Sequence, residues 1–475
     1  MFRKHRQILL LTGIFLLGTF LVHAQEPLKL SLQDALKMAL QNNTNILNSE
    51  LDLKIAQKKI WEITATGLPH IDAKGAYQHI FKVPTLSFPG TDLSFGQIPY
   101  DPVTGIGTTG KGVDVNGQTL YIESVPGTAI PLGVSNNTNF DFTASQLIFS
   151  GSYLVGLQAS KVYFGLSKQN AEKAKLDVTE IVIDTYNMIQ LAEESRKILT
   201  LNLENINKTM NEVSEMNVQG FVEKTDVDQL ELTANTIKNT LNQIDSNLDM
   251  GYRLLKIQIG MDETAKVELS DPLETGESLT TTSLKLISEP FSIENNVDYQ
   301  LIQTSEKAAQ LELKLAKSGY LPTIAGFYNH TEKINPPAFD FTPKDVVGIN
   351  LTLPIFSSGE RMAGVSQKRF SLEKAQNTRK FVSDNILMEA SQYQNDVKLK
   401  LEKYQNQKRS KELSDVIYQR TLEKYKQGMS SSLDLMTIQN QYLSNLTNYY
   451  QSIFDLQSSK SKLEKLYNIN QDTTK

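Results

Sequence analysis

Leu68-Pro69-His70-Ile71 and Leu321-Pro322-Thr323-Ile324 each open a stretch of alternating residues. Gln146-Leu147-Ile148-Phe149-Ser150-Gly151 closes the first such region, and Leu353-Pro354-Ile355-Phe356-Ser357-Ser358-Gly359 closes the second. A very long helical tract follows each, broken once, at Gln219-Gly220 and at Gln427-Gly428. Six residues past each of these glycines stands an aspartate, Asp226 or Asp434. The order helix, strands, long helix, tight turn, long helix therefore occurs twice. A repeat of this kind fixes the architecture before any single residue is interpreted.

The N-terminus reads as a secretory signal over residues 1–24. Arg3, Lys4 and Arg6 precede a 15-residue apolar run from Ile8 to Val22, no acid occurs before Glu26, and Val22-His23-Ala24 offers a cleavage site. A membrane-spanning helix needs ~20 apolar residues, so the run is a signal core rather than an anchor. No second run approaches that length, and the mature chain is expected beyond the inner membrane without a helical anchor. There is no cysteine, hence no disulfide and no lipidated N-terminal Cys. The signal carries three positive charges and no negative one, so cleavage takes the net charge from −5 to −8. That argues against nucleic acid as a partner. A hydrophobic share of 40% suits a long thin protein, whose residues mostly lie near a surface.

Hydrophobic spacing predicts a helix from Leu32 to Thr66, capped by Ser31, then strands over His70–Phe81 and Asn139–Phe149. Helices from Tyr153 to Val218 and from Lys224 to Ile259 complete a first repeat, residues 25–259. Residues 260–291 read as a mixed linker. The second repeat, 292–468, has a helix at 292–318, strands at 322–331 and 345–356, and helices at 360–426 and 432–468; a tail of 469–475 follows. Leu199, Leu203, Ile206, Met210 and Val213 step by 4, 3, 4 and 3, as do Leu230, Ala234, Ile237, Leu241, Ile244 and Leu248 across the turn. Tyr442, Leu446, Tyr449, Ile453 and Leu456 repeat the pattern. These are heptad seams, and two seams joined by a short turn make an antiparallel hairpin. At ~1.5 Å per residue the longest helix would reach about 100 Å.

The strands alternate. Val347, Ile349, Leu351 and Leu353 share one face; Gly348, Asn350 and Thr352 share the other. Ile71, Ala73, Gly75 and Tyr77 oppose His70, Asp72, Lys74 and Gln78, and Phe140, Phe142 and Ala144 oppose Asn139, Asp141 and Thr143. Such strands fit a half-buried soluble sheet or an outer-membrane barrel. The signal sequence, the missing helical anchor and the aromatic residues favour the barrel. Four strands cannot close one, and open edges are not tolerated in lipid. Two chains would give eight strands and a filled interior; three would give twelve and a lumen, so a conducting pore points to a trimer.

At this point the chain resembles the TolC-type outer-membrane efflux factors over residues 29–468. The carriers are the duplicated Leu-Pro strand starts, the Phe-x-x-Gly passages into the long helices and the two Gly-x-x-x-x-x-Asp tips. The resemblance implies a mainly α chain with membrane β strands, assembled as a homotrimer. Four strands per chain would form a twelve-stranded barrel continued by an α-helical periplasmic barrel. It implies an exit duct in the outer membrane of a Gram-negative cell, reaching into the periplasm and surrounded by outer-membrane lipid. Such a duct serves a tripartite efflux or type I secretion system through a periplasmic adaptor, the membrane fusion protein, and only indirectly meets an inner-membrane pump. The family closes its periplasmic end by polar links and a ring of acids. Asp434 matches the first gate acid, whereas Thr437 stands where the second is expected. Tyr425 matches the gate tyrosine and Asp226 its partner carboxylate. Thr225 matches a second partner, but Ser430 stands where its arginine is expected. Gly220-Phe221 and Gly428-Met429 match the exposed tips used for adaptor docking.

Read without the family, these residues are helix punctuation. Ser431-x-x-Asp434 and Thr225-x-x-Asp228 have capping-box spacing, and Gly220 and Gly428 end the preceding helices. Both roles can coexist. Outside the signal the histidines are His70, His79 and His330, without metal-ligand spacing. No nucleophile–His–acid grouping or phosphate loop stands out, so no enzyme, cofactor or metal is expected. Residues 82–138, rich in Gly, Pro and Thr, form a long loop whose counterpart is 332–344. It is expected either to fold over the barrel exit, with a hairpin around Val113–Glu123, or to stay a surface loop. Small-molecule or drug efflux is the default cargo. The rival reading is a structural or adhesive coiled-coil surface protein, which would not need the repeated strand pairs.

Overall fold

The computed structural model describes residues 28–88, 92–94, 113–115, 118–123 and 128–469. The signal of residues 1–24 and residues 470–475 of the tail lie outside them. In chain order the elements are β1 (Leu28–Leu30), α1 (Leu32–Asn42), α2 (Thr44–Ala65), β2 (His70–His79), β3 (Thr85–Phe88), β4 (Asp92–Ser94), β5 (Val113–Val115), β6 (Gln118–Glu123), β7 (Thr128–Pro131) and β8 (Asn136–Ser150). The first hairpin is α3 (Gly151–Val218) and α4 (Lys224–Ile259), followed by β9 (Val267–Leu269), α5 (Glu277–Ser288) and α6 (Val297–Ser318). Then come β10 (Thr323–Lys333), β11 (Asp345–Thr352) and the second hairpin, α7 (Glu360–Lys426) and α8 (Ser432–Leu466). The chain divides into two compact units, and each repeat contributes to both.

One unit, residues 60–158 and 314–366, holds a four-stranded sheet in the order β11-β10-β8-β2. All three pairings are antiparallel. Register puts Ala73 beside Phe142, Ala144 beside Tyr328, and Tyr328 beside Val347. Successive side chains in a strand point to opposite faces. The apolar sets of β2, β8 and β11 therefore share one face, on which Ile71, Tyr77, Phe140, Phe142, Val347 and Ile349 are exposed. The other face is tied by polar side chains: Thr143 donates to Asn329 (2.7 Å), and Thr331 to Asp141 (2.6 Å). A register shift between Ile324 and Ala325 marks a bulge in β8. Gly348 lies opposite Phe327, whose ring would sit 2.7 Å from an added Cβ, so a larger residue there would displace the ring. In the long loop β3 pairs with β7, and β4-β6-β5 form a small sheet. The hairpin expected around Val113–Glu123 is present as β5 paired with β6.

The other unit packs short elements against the long hairpins. Leu30, Leu36, Ile46, Val182, Tyr186, Leu255 and Ile259 form one buried cluster. There β1 runs parallel to β9, and the Tyr186 hydroxyl donates to the Leu30 carbonyl at 3.0 Å. Leu279, Leu286, Val397, Tyr404, Ile453 and Leu463 form a second cluster, in which α5 covers α7 and α8. The heptad seams are buried as their spacing predicts: Ile206, Val213, Leu230, Ile237, Tyr442, Leu446 and Ile453 are all inside.

Several expected elements differ. The helix expected over 32–66 breaks at Asn43, whose backbone is extended. Its side-chain oxygen accepts from the Asn45 N–H (2.9 Å) and its amide donates to the Gln258 carbonyl (2.8 Å). The asparagine thus offers the backbone a cap in place of the helix. Asn296 does the same before α6, accepting from the Tyr299 N–H (3.0 Å) and donating to the Leu466 carbonyl (2.9 Å). The helix expected at 292–318 therefore starts at Val297, after a 3-10 turn at Ile293–Asn295. Residues 260–291, expected as linker, contain β9 and α5 because their apolar residues complete the two clusters. β2 ends at His79 rather than Phe81, and β11 at Thr352 rather than residue 356. Pro354 there lacks the N–H a ladder needs.

Candidate functional site: the helix tips

The two turns between the long helices share one backbone solution. Gly220 and Gly428 have φ of +82° and +72°, the left-handed region that glycine enters without a Cβ penalty. At the first turn Phe221 N–H reaches the Met216 carbonyl and Gly220 N–H the Asn217 carbonyl, both at 2.9 Å. At the second, Met429 N–H reaches Lys424 (2.8 Å) and Gly428 N–H reaches Tyr425 (2.9 Å). Both are Schellman motifs, which satisfy the last carbonyls of a helix. The apolar side chains of Phe221 and Met429 are left exposed at the tips.

The return helices start differently. Ser431 caps α8: its hydroxyl accepts from the Asp434 N–H (3.1 Å), while Asp434 Oδ2 accepts from the Ser431 N–H (3.3 Å) and hydroxyl (2.7 Å). This is the capping box read from sequence. The hydrogen bonds from Ser431 hold the exposed Asp434 carboxyl below the usual carboxylate range. Thr437 bonds back to the Leu433 carbonyl at 2.8 Å. In α4 the box expected at Thr225–Asp228 is absent. The cap is Glu223, whose N–H donates to Asp226 Oδ2 at 3.3 Å, because the helix begins at Lys224. Thr225 donates instead to Glu223 Oε2 (3.1 Å).

Asp226 also joins the two tips, though not through the tyrosine. The Ser432 hydroxyl donates to Asp226 Oδ1. Tyr425 packs beside Tyr418, Leu435, Tyr442 and Leu446, and its buried hydroxyl has no hydrogen-bond partner among the described residues. Burial first, and the nearby Asp226 charge second, raise its pKa. The expected Tyr425–Asp226 link is thus replaced by Ser432–Asp226. Sequence reading missed Ser432, although the run Ser430-Ser431-Ser432 supplies hydroxyls on several sides of one turn. It also missed Asn43 and Asn296, which the repeated Asn-Asn pairs 42–43 and 295–296 signal.

No group of His, Asp and Glu among the described residues is arranged to hold a metal. No described helix is long and apolar enough to cross a membrane.

Residues 292–468, the second repeat, match the model of the family described as outer membrane efflux protein. No curated relative matches the chain. Among solved structures, the CmeC outer membrane channel of Campylobacter jejuni is similar at 16% identity and a TM-score of 0.68, with 92% of this chain and 85% of that one covered. The MtrE outer membrane channel of Neisseria gonorrhoeae, in its open state, is similar at 15% identity and 0.66, covering 92% and 88%. The outer membrane protein VceC of Vibrio cholerae is similar at 12% identity and 0.67, covering 92% and 94%. At these identities the likeness speaks for the fold.

Proposed function

We propose that the chain is one protomer of a trimeric outer-membrane channel, the passive exit duct of a tripartite efflux or type I secretion system. The observation that carries this reading is the sheet. Its outer strands β2 and β11 have no partner on their free sides among the described residues, and its apolar face is exposed. A sheet of this kind is stable in lipid only when closed. Three copies would supply twelve strands around a lumen. The match of residues 292–468 to the outer membrane efflux protein family model and the similar outer membrane channels support the same reading.

In this account the helix tips close the periplasmic end. The Asp226–Ser432 bond holds the two hairpins of one protomer together, and three copies of Asp434 stand near the axis, where like charges attract cations. The exposed Phe221 and Met429 are docking points for a periplasmic adaptor, which links the duct to an inner-membrane pump. The duct binds no cofactor and performs no chemistry; cargo is selected by the pump, with small molecules or drugs as the default. Purified full-length protein should have the mass of three copies in detergent and conduct in discrete steps in planar bilayers. A monomer, or a trimer that never conducts, contradicts the proposal.

A further inference from the structure

Two polar ties join α3 of the first repeat to α8 of the second. Lys465 pairs with Glu180 at 2.7 Å, and the Ser458 hydroxyl donates to Asp184 at 3.1 Å. Beside these ties, residues 271–274 meet both helices around a cavity of about 210 Å³. At ~30 Å³ per water, that is room for about seven waters or one small amino acid. The wall on the linker side is held in place. Asp271 Oδ2 accepts from the Leu32 N–H at the start of α1 (2.7 Å), and its carbonyl accepts from the Gln190 amide (2.7 Å). Its own N–H donates to the Tyr186 hydroxyl at 3.4 Å. On α8, Gln457, Lys460, Ser461 and Glu464 line the space, a spacing that puts them on one helix face.

The polar groups of this lining are buried and unspent. Asn187 of α3 and Ser461 are 8 and 4% exposed, and no hydrogen bond among the described residues uses either side chain. Gln457 is 6% exposed, and its Oε1 is buried without a partner among the described residues. The Lys460 side chain is 17% exposed, with its ammonium 3.9 Å from Glu274 and 3.9 Å from Glu464, beyond hydrogen-bond length. Buried polar groups are as a rule hydrogen-bonded. Three such side chains and an ammonium around one cavity therefore mark a place for a polar ligand. The charges select its class. Lys460 repels a simple cation, and Glu274 and Glu464 repel a simple anion. A molecule that carries both charges satisfies both sets.

We propose that this cavity binds a small free α-amino acid as its zwitterion. The carboxylate lies on the Lys460 ammonium and the Ser461 hydroxyl; the ammonium lies on Gln457 Oε1 and the flanking acids, with Asn187 free to donate or accept. A ligand held in this way touches α3, α8 and the linker at once. It therefore favours the arrangement in which the two hairpins are joined here. The site lies within a single chain and does not depend on conduction.

Isothermal titration of the full-length protein in detergent with glycine, L-alanine and L-serine tests the proposal. At least one of them should bind saturably, at one site per chain, and raise the thermal midpoint. Alaninamide lacks the carboxylate and N-acetylalanine lacks the ammonium; each should bind about tenfold or more weakly than L-alanine. Lys460→Met keeps the aliphatic stem and removes the charge, and should cost the amino acid about tenfold or more in affinity. Its ligand-free thermal midpoint reports whether the fold is kept. Absence of saturable binding by all three amino acids overturns the proposal, as does equal binding of alaninamide or N-acetylalanine. Wild-type affinity in a folded Lys460→Met protein overturns it too. Should that variant fail to fold, the comparison of the three alanine forms on the wild type decides alone.

Discussion

The turn at Gly220 and the turn at Gly428 have the same backbone and put their aspartates to different uses. Asp226 is half-buried and spends its oxygens on the Glu223 N–H and on Ser432 of the other turn. Asp434 is exposed and, among the described residues, bonds within its own turn, to Ser431 and Ser430. Duplication preserved the glycine and the cap because the backbone groups at a helix end need partners in either copy. Divergence at the neighbouring positions then made one carboxylate a tether and left the other exposed.

The largest effect is expected from breaking the tether. Asp226→Ala removes a charge-assisted bond to Ser432 as well as a cap, a loss of about 1.5–3 kcal/mol at the tips. Amide exchange over residues 216–226 and 428–434 should accelerate roughly tenfold or more, and channel opening should rise. A variant with unchanged exchange shows that the tips are held elsewhere. Next come the glycines. A Cβ at either one meets no atom within 4 Å, so Gly220→Ala and Gly428→Ala should each cost about 1–2 kcal/mol through φ alone. Equal losses in thermal midpoint confirm that the turns are equivalent; a clear inequality means that one of them bears load from a partner.

Tyr425→Phe sharpens the comparison further, because the hydroxyl it removes is buried without a partner. The variant should be neutral or more stable by up to ~1 kcal/mol, with unchanged opening. Increased conductance would restore the tyrosine link that sequence resemblance suggests. The smallest structural effect belongs to Asp434→Asn, which keeps the cap and removes the charge. Cation selectivity should fall while the fold is unaffected. The pH dependence has a definite sign. A carboxyl held below its ordinary value in the folded state contributes its full stability at neutral pH and loses it only as pH falls through that depressed value. The stability contributed by this turn should therefore stay flat from pH 7 to pH 5.

Much of the fold was legible because its signals are local and repeated. Alternation set the faces of β2, β8 and β11, heptad steps set the seams, and Gly220 and Gly428 set the turns. Lys224 and Ile259 bound α4 where periodicity places them. What escaped depends on distant partners. Asn43 breaks a helix because the Gln258 carbonyl, 215 residues away, waits for its amide. α5 forms inside a stretch of linker composition because Leu279 and Leu286 find Tyr404 and Ile453. At the tips the acids were identified by position, but whether Asp226 meets Tyr425 or Ser432 is decided by side-chain direction between two helices 200 residues apart in sequence. Spacing within either hairpin carries no record of that.

In the proposed function a closed ring of these chains conducts, and the Asp226–Ser432 bond helps to keep it shut. Single-channel recording of full-length wild-type protein beside Asp226→Ala in planar bilayers tests both halves at once. Discrete cation-selective steps are expected for the wild type and a larger open fraction for the variant, at the same trimer mass. Silence from both proteins, as intact trimers in the bilayer, would contradict it.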